Sequence, residues 1–277
     1  MLTALSSDYV FDGSSPPYPP STATNPLNLY GRTKRDGEVA VLSVTGAKTV
    51  ALRVPVLYGP TPTPSDSAVN ILLDVVSDQS GKTYKMDHFA TRYPTNIVDI
   101  ADFLVRLSTL PPSKTLPPII HYSAEEPFTK YEMCLVFAKL LGLPHTHIIP
   151  QAEEPTDPNA STRPRDAHLY TLETEDLMAG YGGLGWTPFE EWWKSNKISQ
   201  TRRPSGTSTG IRQDTWNDSC DMNGPGALGY ALVLVYASYT IPGVEAVYAS
   251  GKATKKVGSA VPLGARHLDL IATMDSL

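Results

Sequence analysis

A phenol and an amine lie four positions apart at Tyr30 and Lys34, and a hydroxyl precedes them in the chain at Ser7. If the segment around Tyr30 is helical, the phenol and the amine lie on one face, one turn apart. An ammonium group beside a phenol lowers the pKa of the phenol, and a hydroxyl can donate a hydrogen bond to a carbonyl oxygen. These residue types suit proton transfer to a carbonyl that receives a hydride from a nicotinamide. The same spacing also occurs at ordinary surface helix starts, so the pattern alone leaves both interpretations open.

Three predicted elements would position these side chains. Leu2–Ser7 is predicted to be a buried strand that ends where Ser7 can point into a cleft, and residues 29–44 are predicted to form a helix. Residues 49–56 are β-branched and apolar, with Arg53 as the single interruption, which predicts a second strand. The chemistry would therefore lie between a helix and the ends of two strands.

The rest of the chain, up to about residue 199, alternates between further helix and strand patterns. The most specific is the capping box of Thr129 and Glu132, which predicts a helix over Lys130–Leu141 that ends at Gly142. Hydrophobic periodicity also predicts helices at 67–76, 98–107 and 189–194, and strands at 93–95, 119–123 and 148–149. The alternation predicts an α/β protein.

Three segments carry a family resemblance: SSDYVFDG at 6–13, NPLNLYGRTK at 25–34 and LRVPVLYGP at 52–60. Their order resembles that in extended short-chain dehydrogenases, most of all the dTDP-4-dehydrorhamnose reductase branch. Within that branch the chain is similar to the regulatory beta subunits of methionine adenosyltransferase. The segments behind this second resemblance are SAV at 67–69, MDH at 86–88, RYPT at 92–95, TKYEM at 129–133 and RPRDA at 163–167. The resemblance covers roughly residues 1–193.

The resemblance implies roles for particular residues. Ser7 would polarise a substrate carbonyl, Tyr30 would donate the proton, and Lys34 would lower the pKa of Tyr30 and bind ribose hydroxyls of NADP or NAD. Together with Tyr30 and Lys34, the segment of Pro55, Val56 and Leu57 would contact the cofactor near its nicotinamide, although its composition also fits a plain core strand.

Two arginines, Arg163 and Arg165, flank a proline and would present guanidinium groups on a stiff turn. Such groups suit a phosphate or a carboxylate, and in sugar-nucleotide reductases this region lies near the substrate pyrophosphate. We therefore expect Arg163 and Arg165 to bind substrate. A salt bridge to Asp166 or Glu153 is the equally weighted alternative.

The family's cofactor domain begins with a strand, a glycine-rich turn and a helix that hold the cofactor pyrophosphate. No such pattern precedes residue 6, so we expect the chain to start about halfway through a Rossmann sheet, and we do not expect tight dinucleotide binding. A fragment is the favoured interpretation, and a second polypeptide that covers the open sheet edge is the alternative. The GxGxxG match at 180–185 follows an acidic stretch rather than a strand, which predicts a turn.

Bulk composition excludes several classes of protein. The formal net charge of −5 and the pI near 5.7 argue against a nucleic-acid or anionic-membrane surface. Two cysteines, Cys134 and Cys220, form neither a disulfide framework nor a zinc set, and His145 and His147 lack a third ligand in an obvious register. The start lacks a signal-peptide pattern, and the apolar run at 227–241 is shorter than the roughly 20 residues of a membrane helix. We therefore predict a cytoplasmic protein without a metal.

These observations predict a partial Rossmann sheet joined to a smaller mixed α/β substrate-binding lobe. Residues 1–60 would form the second half of the dinucleotide-binding domain. Residues 61–199 would form the lobe and the last core elements, and residues 200–277 a partly disordered tail.

The prediction for function is a non-catalytic regulatory subunit that binds the catalytic subunit of methionine adenosyltransferase. The pattern M-D-H-x-x-x-R-x-P-T at 86–95 favours this function, because the rhamnose reductases carry D-Q-x-G-x-P-T there. The alternative is an NAD(P)-dependent sugar-nucleotide reductase, and the second alternative is a non-functional fragment. Whether the chain is an enzyme is left open.

Overall fold

A computed structural model describes residues 2–154 and 162–196. The strands are β1 (Leu2–Ser7), β2 (Thr49–Val54), β3 (Leu57–Tyr58), β4 (Tyr84–Asp87), β5 (Thr95–Asn96), β6 (Ile119–His121) and β7 (Ile148–Gln151). The helices are α1 (Leu29–Leu42), α2 (Leu72–Ser77), α3 (Ile97–Ser108), α4 (Lys130–Leu141), α5 (Leu172–Leu177) and α6 (Phe189–Ser195). Short 3₁₀ turns lie at Asp8–Val10 and Pro64–Asp66.

The main sheet is parallel throughout, in the strand order β1-β2-β6. Successive side chains of β2 point to opposite faces of the sheet. Val50, Leu52 and Val54 pack in one hydrophobic cluster with buried residues of α3, which covers that face. Helix α1 contacts β1 and β2. The helix that carries Tyr30 and Lys34 is therefore held against β1, which ends at Ser7, and against β2, which Pro55 follows.

The second lobe is built on the parallel pair β4–β7, while the short pair β3–β5 connects the two parts. Its core combines apolar residues of α2, α4 and α6, and aromatic rings meet at its centre: the Tyr58 ring lies 4.9 Å from that of Phe189. No helix in the described part of the chain has the length and hydropathy of a membrane span, and the longest, α1, has 14 residues.

The predicted α/β class is confirmed, and β1 and α4 have the predicted bounds. The second predicted strand ends earlier, at Val54, because Pro55 has no N–H to continue the ladder. The helix predicted at 67–76 begins only at Leu72, because the Ser67 hydroxyl accepts the N–H groups of Val69 and Asn70 in a turn.

The domain boundaries remain predictions. Strand β6 returns to the sheet of β1 and β2, as expected if residues 61–199 include the last core elements. The predicted tail at 200–277 lies outside the described residues.

Candidate active site

Ser7 lies at the end of β1, and both hydrogen-bonding directions of its hydroxyl are in use. The Oγ atom accepts the Tyr9 N–H at 3.2 Å and donates to Asp8 Oδ1 at 2.9 Å. The first bond caps the 3₁₀ turn Asp8–Val10, which explains why a serine suits this position. The single hydroxyl proton of Ser7 is therefore committed to the Asp8 carboxylate.

Asp8, which the sequence analysis did not single out, is buried directly beside Ser7, with 4% of its surface exposed. Burial raises the pKa of its carboxyl to about 6, and the Arg92 guanidinium and the Ser7 hydroxyl offset only part of that increase. A carboxyl with this pKa changes charge close to neutral pH, so the hydrogen-bond acceptor facing Ser7 is itself titratable.

Helix α1 begins against the turn that follows Ser7. The Asn28 side chain caps the helix by accepting the Gly31 N–H at 2.9 Å, and it donates to the carbonyl of Thr162 at 2.9 Å. A Cβ atom at Gly31 would collide with the Tyr9 carbonyl oxygen, so glycine permits this close approach of helix and turn. The first turn of α1 is thereby fixed beside Tyr9.

Tyr30 and Lys34 lie on one face of α1, as the spacing predicts. The Tyr30 ring meets the Tyr9 ring edge to face at 5.7 Å, and Lys34 Nζ lies 5.6 Å from the Tyr30 ring centroid. The amine also donates a long hydrogen bond of 3.5 Å to the Leu5 carbonyl of β1. Burial lowers the pKa of Lys34. The structure thus gathers Ser7, Tyr30 and Lys34 where the end of β1 meets the start of α1.

The segment of Pro55, Val56 and Leu57 follows β2, with Pro55 buried and the other two half-buried. Its backbone is engaged within the protein, because the Val56 carbonyl accepts the Thr95 N–H at 2.9 Å and the Leu57 carbonyl accepts the Ser67 hydroxyl at 2.8 Å. Their roles in cofactor binding remain predictions.

Arg163 and Arg165 are both exposed. Among the described residues neither forms a salt bridge with Asp166 or Glu153, and the Arg165 guanidinium lies 5.1 Å from the Phe89 ring centroid. The positive charge of Arg163 opposes part of the rise that burial causes in the pKa of Tyr9. The roles of Arg163 and Arg165 in substrate binding remain predictions.

A buried ionic network between α1, β1 and β2 was not predicted from the sequence. Glu38 Oε1 and Oε2 accept Arg53 Nε and Nη2 at 2.8 and 2.7 Å, and Glu38 Oε1 also accepts the Ser6 hydroxyl at 2.5 Å. Arg53 Nη1 lies 3.4 Å from His121 Nε2, and burial together with Arg53 lowers the pKa of His121 to about 3. The sequence contains a pattern that could have predicted this ion pair. Arg53 interrupts an apolar strand, and Glu38 lies one helical turn after Lys34 on the same face.

The GxGxxG match at 180–185 forms a turn, as predicted. Arg106 fills it: its guanidinium donates to the carbonyls of Tyr181, Gly183 and Leu184 at 2.7–3.0 Å. The turn thus presents carbonyl groups to a cation, which is the opposite of a phosphate cradle. In the described part of the chain no group of three metal-ligating side chains occurs, and His147 Nε2 instead lies 3.0 Å from the Val75 carbonyl oxygen.

Chemically, the arrangement can bind a polar group at Lys34 and Tyr30. Ser7 can donate to a substrate oxygen only if its hydrogen bond to Asp8 is released.

Comparisons with known proteins identify the family of the chain. The RmlD substrate binding domain family matches residues 1–182. Methionine adenosyltransferase 2 subunit beta of Xenopus tropicalis is 43% identical over 180 residues, which are 65% of this chain and 53% of that protein. The Bos taurus protein of the same name is 41% identical over 183 residues, with the same two shares. The chain spans about half the length of these curated relatives.

A solved dTDP-4-dehydrorhamnose reductase of Bacillus anthracis, in complex with NADP, has the same fold. Its TM-score is 0.56 at 20% identity, covering 69% of this chain and 62% of that one. The match to residues 1–182 covers more than half of the 277 residues, so the chain belongs to the RmlD substrate binding domain family.

Proposed function

We propose that this chain is a non-catalytic regulatory subunit that binds the catalytic subunit of methionine adenosyltransferase. The observation that carries the proposal is the 43% identity over 180 residues with a protein named as the beta subunit of that enzyme. The likeness to the solved reductase, at 20% identity, concerns the fold alone. Sequence similarity therefore favours the regulatory function over the reductase function.

The state of Ser7 supports a non-catalytic role. A carbonyl reductase needs a hydroxyl proton that points to the substrate oxygen, whereas the Ser7 proton is donated to Asp8 at 2.9 Å. Tyr30 and Lys34 lie on one face of α1, with the Lys34 amine 5.6 Å from the Tyr30 ring centroid. A Ser7 hydroxyl that is engaged by Asp8 is consistent with a sensor or a structural site in a regulatory subunit.

NADP or NAD is the cofactor class proposed for this cleft, and when bound it would supply a hydride. In this proposal Lys34 and Tyr30, on one face of α1 beside the end of β1, would bind the ribose, and residues 55–57 would lie near the nicotinamide. Arg163 and Arg165 would bind an anionic group of a substrate.

The direct test is association with the partner. Full-length chain and the catalytic subunit, expressed together, should co-purify in a fixed ratio, and the chain should change the methionine affinity or the thermal stability of the catalytic subunit. Cytoplasmic location of the tagged chain, seen by microscopy, is the corresponding expectation in cells. A pull-down without association, together with NADPH-dependent reduction of a sugar nucleotide, would favour the reductase function over the regulatory function.

The reductase is the second candidate, favoured by the placement of Tyr30 and Lys34 on one helical face beside the end of β1. In that case Tyr30→Phe should abolish turnover with little loss of stability, because only the phenolic hydroxyl is removed. Unchanged turnover would exclude Tyr30 as the proton donor. A chain that shows neither association nor turnover would support the non-functional fragment.

A further inference from the structure

One carboxylate, that of Glu38 on α1, contacts two strands at once. It accepts two hydrogen bonds from Arg53 of β2, at 2.8 and 2.7 Å, and one from Ser6 of β1 at 2.5 Å. Glu38 and Arg53 are 4% and 2% exposed, so the ion pair is buried. It joins the three elements that carry the candidate site.

The strand register explains how this contact arises. Ser6 of β1 lies opposite Arg53 of β2, and Arg53 lies opposite His121 of β6. Registered neighbours in a parallel sheet point to the same face, so these side chains form one row across the sheet. The row faces α1, since Glu38 of that helix binds two of its three members.

Each of the three residues in this network lies near a residue of the candidate site in the sequence. Ser6 precedes Ser7, Glu38 follows Lys34 by one helical turn, and Arg53 lies two residues before Pro55. Well-packed apolar residues can replace a buried ion pair without loss of stability, whereas they lack its directional contacts. The network is therefore better suited to fixing geometry than to adding stability.

We propose that Glu38 is a positioning residue whose contacts with Ser6 and Arg53 set the rotation of α1 over the sheet, and with it the placement of Lys34 and Tyr30 relative to Ser7. A bidentate pair of hydrogen bonds between a carboxylate and a planar guanidinium restricts the relative rotation of the two groups more than a single hydrogen bond does. The Lys34 amine donates to the Leu5 carbonyl at 3.5 Å, which is already long, so a rotation of α1 about its axis would weaken this contact. The inference rests on the proposed function only in treating this cleft as a ligand site.

The test reads the position of Lys34 directly and needs neither partner nor cofactor. Trace labelling of the full chain with acetic anhydride across a pH series, followed by peptide mass spectrometry, gives the reactivity and pKa of the Lys34 amine. The variants are Glu38→Met combined with Arg53→Met, which replaces the pair with apolar side chains, and the milder Ser6→Ala. Asp36→Asn is the matched control, because it removes an exposed carboxylate on the same helix that pairs with Arg35.

The double variant should retain a cooperative thermal transition near that of the unmodified chain. Its Lys34 should nevertheless have a pKa shifted toward the ordinary 10.5, and the unprotonated amine should react several-fold faster because it is less enclosed. Ser6→Ala should shift Lys34 in the same direction by less, and this variant decides the matter if the double variant does not fold. Asp36→Asn should leave Lys34 unchanged.

A folded double variant with unaltered Lys34 labelling would overturn the proposal and reduce the ion pair to a structural contact. An equal change in the Asp36→Asn control would also overturn it. Failure of the pull-down with the catalytic subunit, with Lys34 shifted as expected, would count against the proposed function and leave the positioning role intact.

Discussion

Replacing Asp8 with asparagine should raise the stability of the protein relative to the unmodified chain by more at neutral pH than in acid. The Asp8 carboxyl is buried, and its pKa in the folded protein is raised from 3.8 to about 6. The folded state therefore binds a proton more tightly than the unfolded state does. Stability from this group is present below the unfolded pKa and is lost as the pH rises through about 6.

The size of the effect follows from the difference between the two pKa values, which is about 2 units, at about 1.36 kcal/mol for each unit. Ionisation of Asp8 should thus cost about 3 kcal/mol at pH 7.5 relative to strongly acidic conditions. Between pH 4 and pH 7.5 most of that cost develops, about 2–3 kcal/mol. The asparagine side chain of the variant does not titrate. Any change in packing or hydrogen bonding that it causes therefore alters the free energy of unfolding by the same amount at both pH values.

The assay is urea unfolding of the unmodified chain and of Asp8→Asn at pH 4 and pH 7.5, and the relevant quantity is the change in their stability difference between the two pH values. That change should favour the variant at pH 7.5. Asp78→Asn is a control of opposite sign, because hydrogen bonds from Ser80 and Tyr84 lower the pKa of Asp78 to about 2. A stability difference for Asp8→Asn that does not vary with pH would refute the reasoning.

Three further predictions concern local contacts. Gly31→Ala should destabilise the protein by about 1–3 kcal/mol or more in urea unfolding, because its Cβ would meet the Tyr9 carbonyl oxygen; an unaffected midpoint would mean that this approach is looser. Thr129→Ala should cost about 1 kcal/mol by removing the cap of α4, and Thr129→Ser should restore most of it. The Cys134 thiol, whose pKa burial raises to about 12, should resist a thiol-disulfide reagent at pH 8 until the chain unfolds, and rapid labelling of native Cys220→Ser protein would contradict that.

Local chemistry is what the sequence predicts well. Helix α4 has the predicted bounds because Thr129 and Glu132 form their capping box within one turn, at 2.7 Å between Thr129 N and Glu132 Oε2. Tyr30 and Lys34 share a face for the same reason, since helical spacing alone decides it. Both predictions depend on residues only three or four positions apart.

Elements held by distant contacts were missed. Strand β4 exists because Tyr84–Asp87 pairs with Ile148–Gln151, more than sixty positions along the chain. The acidic helix α5 is held in place by Thr174, whose hydroxyl donates to the His121 carbonyl at 2.7 Å. Neither segment has a periodic apolar pattern that would predict it by itself.

The same limit applies within the candidate site. The pKa of Asp8 depends on burial that only tertiary packing creates, and the partner of Arg53 lies 15 residues away, on another element. A strand pattern with one arginine shows that a counter-charge is needed, but it does not show which carboxylate supplies it.

The contacts of His121 determine where its single ring proton lies. The Tyr170 carbonyl, 3.2 Å from Nδ1, can only accept, so Nδ1 carries the hydrogen and Nε2 keeps a lone pair for the Arg53 guanidinium. Because the pKa of His121 is about 3, this tautomer persists from mildly acidic to alkaline conditions. The imidazole therefore acts as a neutral spacer that satisfies an arginine N–H without introducing a second charge under the helix.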